Sequence, residues 1–185
     1  MKHVLAGLRI LLVLTVITGI LYPFAVWAVS RLPGLHANAE GSTALIGLDP
    51  VAADPNHDPW FHTRPSAVTD PSTSGGSNQG AFNETLVAAI QQRKGTIAKR
   101  EGVDPATIPA DAVTASASGL DPDISPAYAE LQVARVAREN GLTEQQVRTL
   151  VRDNTTGRGF GFLGEPGVNV PKLNLAVRAA ARSAH

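Results

Sequence analysis

Asp54, His57, Asp58 and His62 put two imidazoles and two carboxylates into one short stretch. Those groups could hold a divalent ion, but zinc sites use recognisable ligand spacings and often thiolates, and neither occurs here. Histidines of a hydrophilic loop are the better reading. A serine hydrolase needs a serine beside a base that a carboxylate orients. Ser77, His62 and Asp121 supply the three types, yet no nucleophile-elbow sequence frames any serine. Gly159-Phe160-Gly161-Phe162-Leu163-Gly164 has the spacing of a dinucleotide fingerprint. That motif works where a strand leads in and a helix amino end meets the pyrophosphate. Here Glu165-Pro166 follows and no acidic residue closes a βαβ unit, so the run reads as a glycine-rich turn. No Gly-Lys-Ser or Gly-Lys-Thr occurs, which removes a Walker-type phosphate loop. The sequence designates no catalytic and no metal-ligating residue, and leaves cofactor-binding residues open.

Three stretches rich in turn formers remain: Trp60 to Ala67, Ser74-Gly75-Gly76-Ser77-Asn78, and Ser116 through Pro126. Gly for unusual dihedrals and Asp, Ser and Asn for local backbone bonding account for their composition as turns.

The elements that must carry these stretches are mostly helices. Asn83 caps a helix with Leu86, Val87, Ile90 and Ile97 at helical spacing, ending before Gly102. Ser125-Pro126 starts a second, with Leu131, Ala134, Val136 and Ala137 on its inner face and Asn140-Gly141 as its stop. Thr143 and Gln146 form a capping-box pair that opens a third, with Val147, Leu150 and Val151 inward. A last helix runs from about Pro171, with Leu173, Ala176, Val177 and Ala180 on one face. Ala44-Leu45-Ile46-Gly47, Trp60 to Pro65 and Ala112-Val113-Thr114-Ala115 read as short extended pieces. The fold class is α+β, with at least four helices and a few short strands after one amino-terminal transmembrane helix.

That amino-terminal helix is the strongest single signal. Ile10 to Ser30 is 21 residues without a charge, enough at about 1.5 Å per residue to cross roughly 30 Å of hydrocarbon. Tyr22, Phe24 and Trp27 cluster where aromatic rings meet headgroups. Pro23 predicts a kink. Lys2, Arg9 and the amino terminus precede the span, whereas only Arg31 is basic between it and Arg64, so the amino end is expected in the cytoplasm. The alternative is a cleaved signal peptide, with Ala37-Asn38-Ala39 as a small-x-small site. The apolar run exceeds the usual signal core, which favours a retained anchor. The expected organisation is residues 1–30 with the span at about 10–30, a linker at 31–41, and an extracytoplasmic soluble domain at 42–185.

Of the 16 Lys and Arg, two (Lys2 and Arg9) precede Ser30, leaving 14 against all 16 Asp and Glu beyond it, a net charge of −2. No basic footprint for nucleic acid is present. The chain has no cysteine, so no disulfide staples the outer part.

The three turn-rich stretches and the carboxy-terminal region together resemble the C subunit of the Kdp-type potassium-transporting ATPase. The likeness runs from Tyr22-Pro23 through Ala44-Leu45-Ile46-Gly47, Phe61-His62, Arg64-Pro65-Ser66-Ala67 and Ser74-Gly75-Gly76-Ser77-Asn78. It continues through Val113-Thr114-Ala115-Ser116, Ser118-Gly119-Leu120-Asp121-Pro122, Ile124-Ser125-Pro126, Gly161 to Pro166, Val168-Asn169-Val170 and Leu173-Asn174-Leu175. Leu48, Asp123, Gly167 and Pro171 depart from the family pattern, which usually has Gln, His, Arg and Leu there. The resemblance implies a non-catalytic, single-pass subunit of an ATP-driven potassium uptake complex in the bacterial inner membrane. Its implied partners are the lipid bilayer, a potassium-binding channel-like subunit, a P-type ATPase subunit and a small hydrophobic subunit. ATP and potassium are then handled by the complex, and the chain assists assembly or acts as a catalytic chaperone that raises ATP affinity. Interface or positioning roles are expected for Trp60, Phe61, Arg64, Ser77, Asn78, Asp121 and Glu165. A membrane-tethered hydrolase using His62, Asp121 and a loop serine, or a secreted binding domain, are the rival readings.

Overall fold

The computed structural model describes residues 2–33, 35, 36, 39, 47, 49, 50, 52, 54 and 57–183. The expected strand at Ala44 to Ile46, the Ala37-Asn38 part of the signal-cleavage site and the departure at Leu48 lie outside them. The chain divides into two compact units, Met1–Thr43 and Ala44–His185.

The first unit is helical from Lys2 to Ser30, long and apolar enough to cross a membrane. It comprises α1 (Lys2–Val16), one π-helical turn (Ile17–Leu21) and α2 (Tyr22–Ser30). The π turn explains how Pro23 is tolerated. A proline in an α-helix clashes with the carbonyl four residues back, here that of Gly19, and supplies no N–H to it. Widening the preceding turn lets Tyr22 N–H reach Ile17 O instead, the usual form of a π-bulge. Thr15 and Thr18 return their hydroxyls to Leu11 O and Leu14 O, both at 2.8 Å, so neither leaves an unmet donor on the apolar helix surface. At the far end Phe24 and Trp27 stack with centroids 5.7 Å apart, and the Arg31 guanidinium lies 5.4 Å from the Trp27 ring. No residue of either helix is buried by the described chain.

Among its described residues the second unit is built on four α-helices, most with strong local end signals. Asn83 accepts from Thr85 and Leu86 N–H to open α3 (Glu84–Glu101), and Gly102 closes it at φ 70°. Ser125 accepts from Tyr128 N–H to open α4 (Pro126–Asn140). Gly141 at φ 66° closes it, and Leu142 N–H returns to Ala137 O at 3.0 Å, a Schellman ending with buried Leu142 as its apolar contact. The Thr143–Gln146 capping box opens α5 (Glu144–Asp153). Finally α6 spans Val170–Ser183, with Leu173 and Val177 buried.

A three-stranded antiparallel sheet, in the order β1-β3-β2, joins β1 (Asp123–Ile124), β2 (Thr155–Thr156) and β3 (Gly167–Asn169). Val168 in the middle strand faces Ile124 and Thr155. Val168, Ile124, Tyr128, Val133, Val136, Val147, Leu173 and Val177 form one core with Phe61.

The expected strands need correction. Ala112-Val113-Thr114-Ala115 is not a strand: Ala110–Ala112 is a 3-10 turn and Thr114 hydroxyl bonds back to Ala110 O. Its apolar character reflects burial of Ala112 and Val113 in the core, which a turn can supply as well as a strand. Trp60 to Pro65 is drawn out but belongs to no ladder. Two inner-face expectations also shift. Ala134 is exposed, while Gln132 and Arg135 are buried beside Val133 and Val136. Val87 is exposed on α3 and only Ile97 is fully buried there.

Candidate functional site

The drawn-out segment Asp58 to Ala67 runs through the second unit without a strand partner, so its buried peptide groups must be met otherwise. Two side-chain amides do this. Asn174 on α6 accepts from Phe61 N–H at 2.8 Å and donates to Phe61 O at 2.9 Å. Gln132 on α4 accepts from His62 N–H at 2.8 Å and donates to His62 O at 3.3 Å. A planar amide offers one donor and one acceptor, as a facing peptide would. Each therefore replaces one rung of a missing ladder, and the Phe61 ring between them is wholly buried.

Arg135 fixes the start of the segment. Its side chain is only 4% exposed and donates to Asp58 O at 2.6 Å, Trp60 O at 2.9 Å, Gln132 Oε1 at 3.1 Å and both oxygens of Glu101. The Glu101 carboxylate is fully buried and also receives Arg100 Nε at 2.7 Å. A buried guanidinium is tolerable when every donor has such a partner. Arg100 donates to the Tyr128 hydroxyl as well. Burial works against the Arg100 charge, but Tyr128 and Glu101 outweigh it and hold its pKa up. Burial pushes the Tyr128 phenol up, with Arg100 pulling the other way.

His62 lies between two carboxylates, with Nε2 2.5 Å from Asp58 Oδ2 and Nδ1 3.0 Å from Asp49 Oδ1. Burial tends to raise the Asp58 carboxyl. The hydrogen bond and charge of His62, then Arg135 and Trp60 N–H, overcome this and leave it below the usual carboxylate range. His57 instead points to Glu139 at 3.1 Å, so the four residues of the suspected metal cluster do not converge. The suspected triad does not assemble either. Both His62 ring nitrogens face Asp58 and Asp49, Asp121 is taken by Arg64, and Ser77 is exposed.

The far end of the segment gathers the other turn-rich stretches. Arg64 donates to Asp121 Oδ2 at 3.3 Å and Ala115 O at 3.4 Å. Pro65 O receives Ser116 N–H at 3.1 Å. Ser66 hydroxyl lies 2.8 Å from Gly119 O. From the glycine-serine stretch, Gly75 N–H meets Ser118 O at 2.8 Å and Ser74 hydroxyl meets the same oxygen at 3.1 Å. Gly119 sits at φ 72°, and a Cβ there would come within 2.5 Å of Val68 Cγ2 and 2.9 Å of Gly75 O. Gly47 N–H bonds to Leu120 O at 3.1 Å, and a Cβ on Gly47 would overlap the Asp121 carbonyl. Three chain-distant loops are thus locked against one another by backbone contacts that only glycine admits.

Of the seven residues expected to position or dock, Arg64 and Asp121 lie within this lock, buried Phe61 is held by the Asn174 clamp, and half-buried Trp60 gives its carbonyl to Arg135. Ser77 and Asn78 are exposed at its edge, Asn78 with φ 51°. Glu165 lies elsewhere, paired with Arg158 at 2.7 Å beside the glycine turn. That turn is a hairpin, with Gly159 and Leu163 bridged, and a strand follows it rather than a helix amino end. Gln132, Arg135 and Glu101 have no place in the sequence-based expectations, and Asn174 enters them only within Leu173-Asn174-Leu175 of the family likeness. The available signal was Gln132 and Arg135 at i, i+3 inside an apolar helical stripe, where polar residues need a buried partner.

A cleft of about 360 Å³ borders this region, lined among others by Asp49, His62, Arg93, Arg100 and Tyr128. Arg93 already donates to Val113 O at 2.9 Å, and Arg100 is engaged as described.

Taken together, these features define a loop-presenting domain joined in sequence to one long apolar helix, with no catalytic constellation assembled among the described residues. The chain belongs to the KdpC family, described as the c chain of the K+-transporting ATPase, whose pattern it matches over residues 4–179. It is 44% identical to the potassium-transporting ATPase KdpC subunit of Kineococcus radiotolerans, over 98% of this chain and 95% of that one. The KdpC subunit of Streptomyces coelicolor is 42% identical, with 93% and 90% covered. That of Mycobacterium tuberculosis is 44% identical, with 95% and 97% covered.

Proposed function

We propose that this chain is a non-catalytic accessory subunit of a potassium-transporting ATPase, anchored by a single span. The observation that carries the reading is the family match over nearly the whole chain. The amino end lies in the cytoplasm and the second unit outside it, on the argument from Lys2 and Arg9 ahead of the span against Arg31 alone behind it. The span is retained, because its uncharged run from Ile10 to Ser30 is longer than the apolar core of a signal peptide. The partners are the potassium-binding channel-like subunit, the P-type ATPase subunit and the small hydrophobic subunit. Trp60, Phe61, Arg64 and Asp121 position the loop cluster, while Ser77, Asn78 and Glu165 present themselves to a partner.

The chain binds no ATP by a phosphate loop, since the sequence has none. Its chaperone effect on ATP affinity is then exerted by favouring one transport state of its partners, a coupling that needs differential contact with two states and no shared ligand. Affinity purification of the tagged full chain from mild detergent, with intact-mass measurement, tests the reading. Co-elution of the ATPase and potassium-binding subunits with a chain that retains residues 1–39 is expected. Recovery of a lone polypeptide, or of one shortened at Ala39, would overturn it.

A further inference from the structure

The hairpin Arg158 to Glu165 carries two aromatic rings that its own domain does not use. Phe160 is 92% exposed and Phe162 72%, Leu163 beside them is also exposed, and none of the three belongs to the core cluster. Single exposed apolar residues are ordinary, but three of them among the four residues Phe160 to Leu163 form a knob.

The knob is rigidly made. Gly159 and Leu163 exchange two backbone hydrogen bonds of 2.8 Å, closing a three-residue loop, and Gly161 N–H returns to Arg158 O at 3.1 Å. Gly161 and Gly164 take φ 82° and 78°, which suits glycine. Phe160, however, takes φ 51°, a conformation glycine adopts freely and a bulky residue does not. Folding alone would favour glycine at this position, so the ring is kept for something outside the domain.

We infer that the Phe160–Phe162 knob seats in an apolar socket on another subunit of the potassium-transporting ATPase; the inference rests on the subunit reading above. A protein socket fits better than lipid on two grounds. At the base of the knob Arg158 and Glu165 neutralise each other at 2.7 Å, leaving no excess positive charge for an anionic leaflet. A fixed loop geometry lowers the ordering cost of fitting a shaped pocket, whereas a fluid interface asks for no shape. Aromatic side chains are also the common anchors of protein interfaces.

The test is the double variant Phe160→Gly, Phe162→Ser in the full chain, co-expressed with its partner subunits. The melting temperature of the purified chain should stay level or rise, because the left-handed position now holds glycine. Partner subunits recovered per chain should fall roughly tenfold or more, as for loss of an interface anchor. Wild-type recovery would overturn the inference while leaving the subunit reading intact. If the wild-type chain itself recovered no partner, the subunit reading would fail and the inference with it. Should the variant melt lower than wild type, a photo-crosslinking benzophenone amino acid at position 162 decides instead, against a control at exposed Thr69. An adduct with another subunit supports the socket. An adduct with lipid or with a second copy of this chain, or none above the control, refutes it.

Discussion

Replacing the two clamping amides one at a time isolates what holds the Asp58–Ala67 segment. Asn174→Leu removes the acceptor of Phe61 N–H (2.8 Å) and the donor to Phe61 O (2.9 Å). A buried peptide group left without a partner costs about 1–3 kcal/mol. Two such groups, offset by the apolar gain of leucine, give a net loss of about 2–4 kcal/mol. Gln132→Leu should cost more, about 3–5 kcal/mol, because Gln132 also accepts from Arg135 and donates to Tyr128 O. For a chain of this size about 3 °C of melting temperature accompanies each kcal/mol. Asn174→Leu should therefore melt roughly 6–12 °C lower in detergent, and Gln132→Leu lower still. Amide hydrogen exchange supplies the specific readout. Phe61 N–H should lose protection in the first variant and His62 N–H in the second, since each is bonded by that side chain alone. If both variants melted within about 2 °C of wild type with those amides still protected, burial of the Phe61 ring would suffice and the clamp argument would be wrong.

Other expectations follow from the same geometry. Gly119→Ala should destabilise by about 2–3 kcal/mol, combining left-handed backbone strain with displacement of the Val68 and Gly75 loop. Gly102→Ala, at a similar φ of 70° but with open space around it, should cost only about 1 kcal/mol, and equal melting losses would contradict the loop lock. Because the Asp58 carboxyl is held below its ordinary range, its contribution is present above about pH 4 and lost as pH falls through the folded value. Acid melting curves of Asp58→Asn should accordingly fall less steeply below about pH 4 than those of wild type, and parallel curves would refute the assignment. Since the chain has no cysteine, a single Thr69→Cys in whole cells reports topology directly. Labelling by a membrane-impermeant maleimide is expected, and labelling only after lysis would reverse the orientation.

What could be read from sequence depended on how local its determinant was. Asn83, Ser125-Pro126 and the Thr143–Gln146 pair act within one helical turn, as do Gly102 and Gly141, and the described helices begin and end at them. The strands have only two or three residues, too few for an alternating pattern, so apolar runs such as Ala112-Val113 drew attention instead. Trp60 to Pro65 looked like a strand for a sound reason: its backbone is drawn out and buried at its centre. Its partners are side chains 70 and 113 residues further on, a pairing that no local pattern encodes. The burial of Gln132 and Arg135 likewise makes sense only once Asp58, Trp60, His62 and Glu101 surround them. Composition marks the Arg64, Gly75 and Gly119 stretches as turns, while their convergence and the register between them depend on the fold.

Potassium-dependent ATP hydrolysis, measured across ATP concentrations on complexes purified with and without this chain, tests the subunit role most directly. The account predicts that without the chain the remaining subunits separate during purification, and that any surviving assembly needs more ATP to reach half its rate. A stable complex lacking the chain, with unchanged potassium stimulation and unchanged ATP dependence, would contradict it.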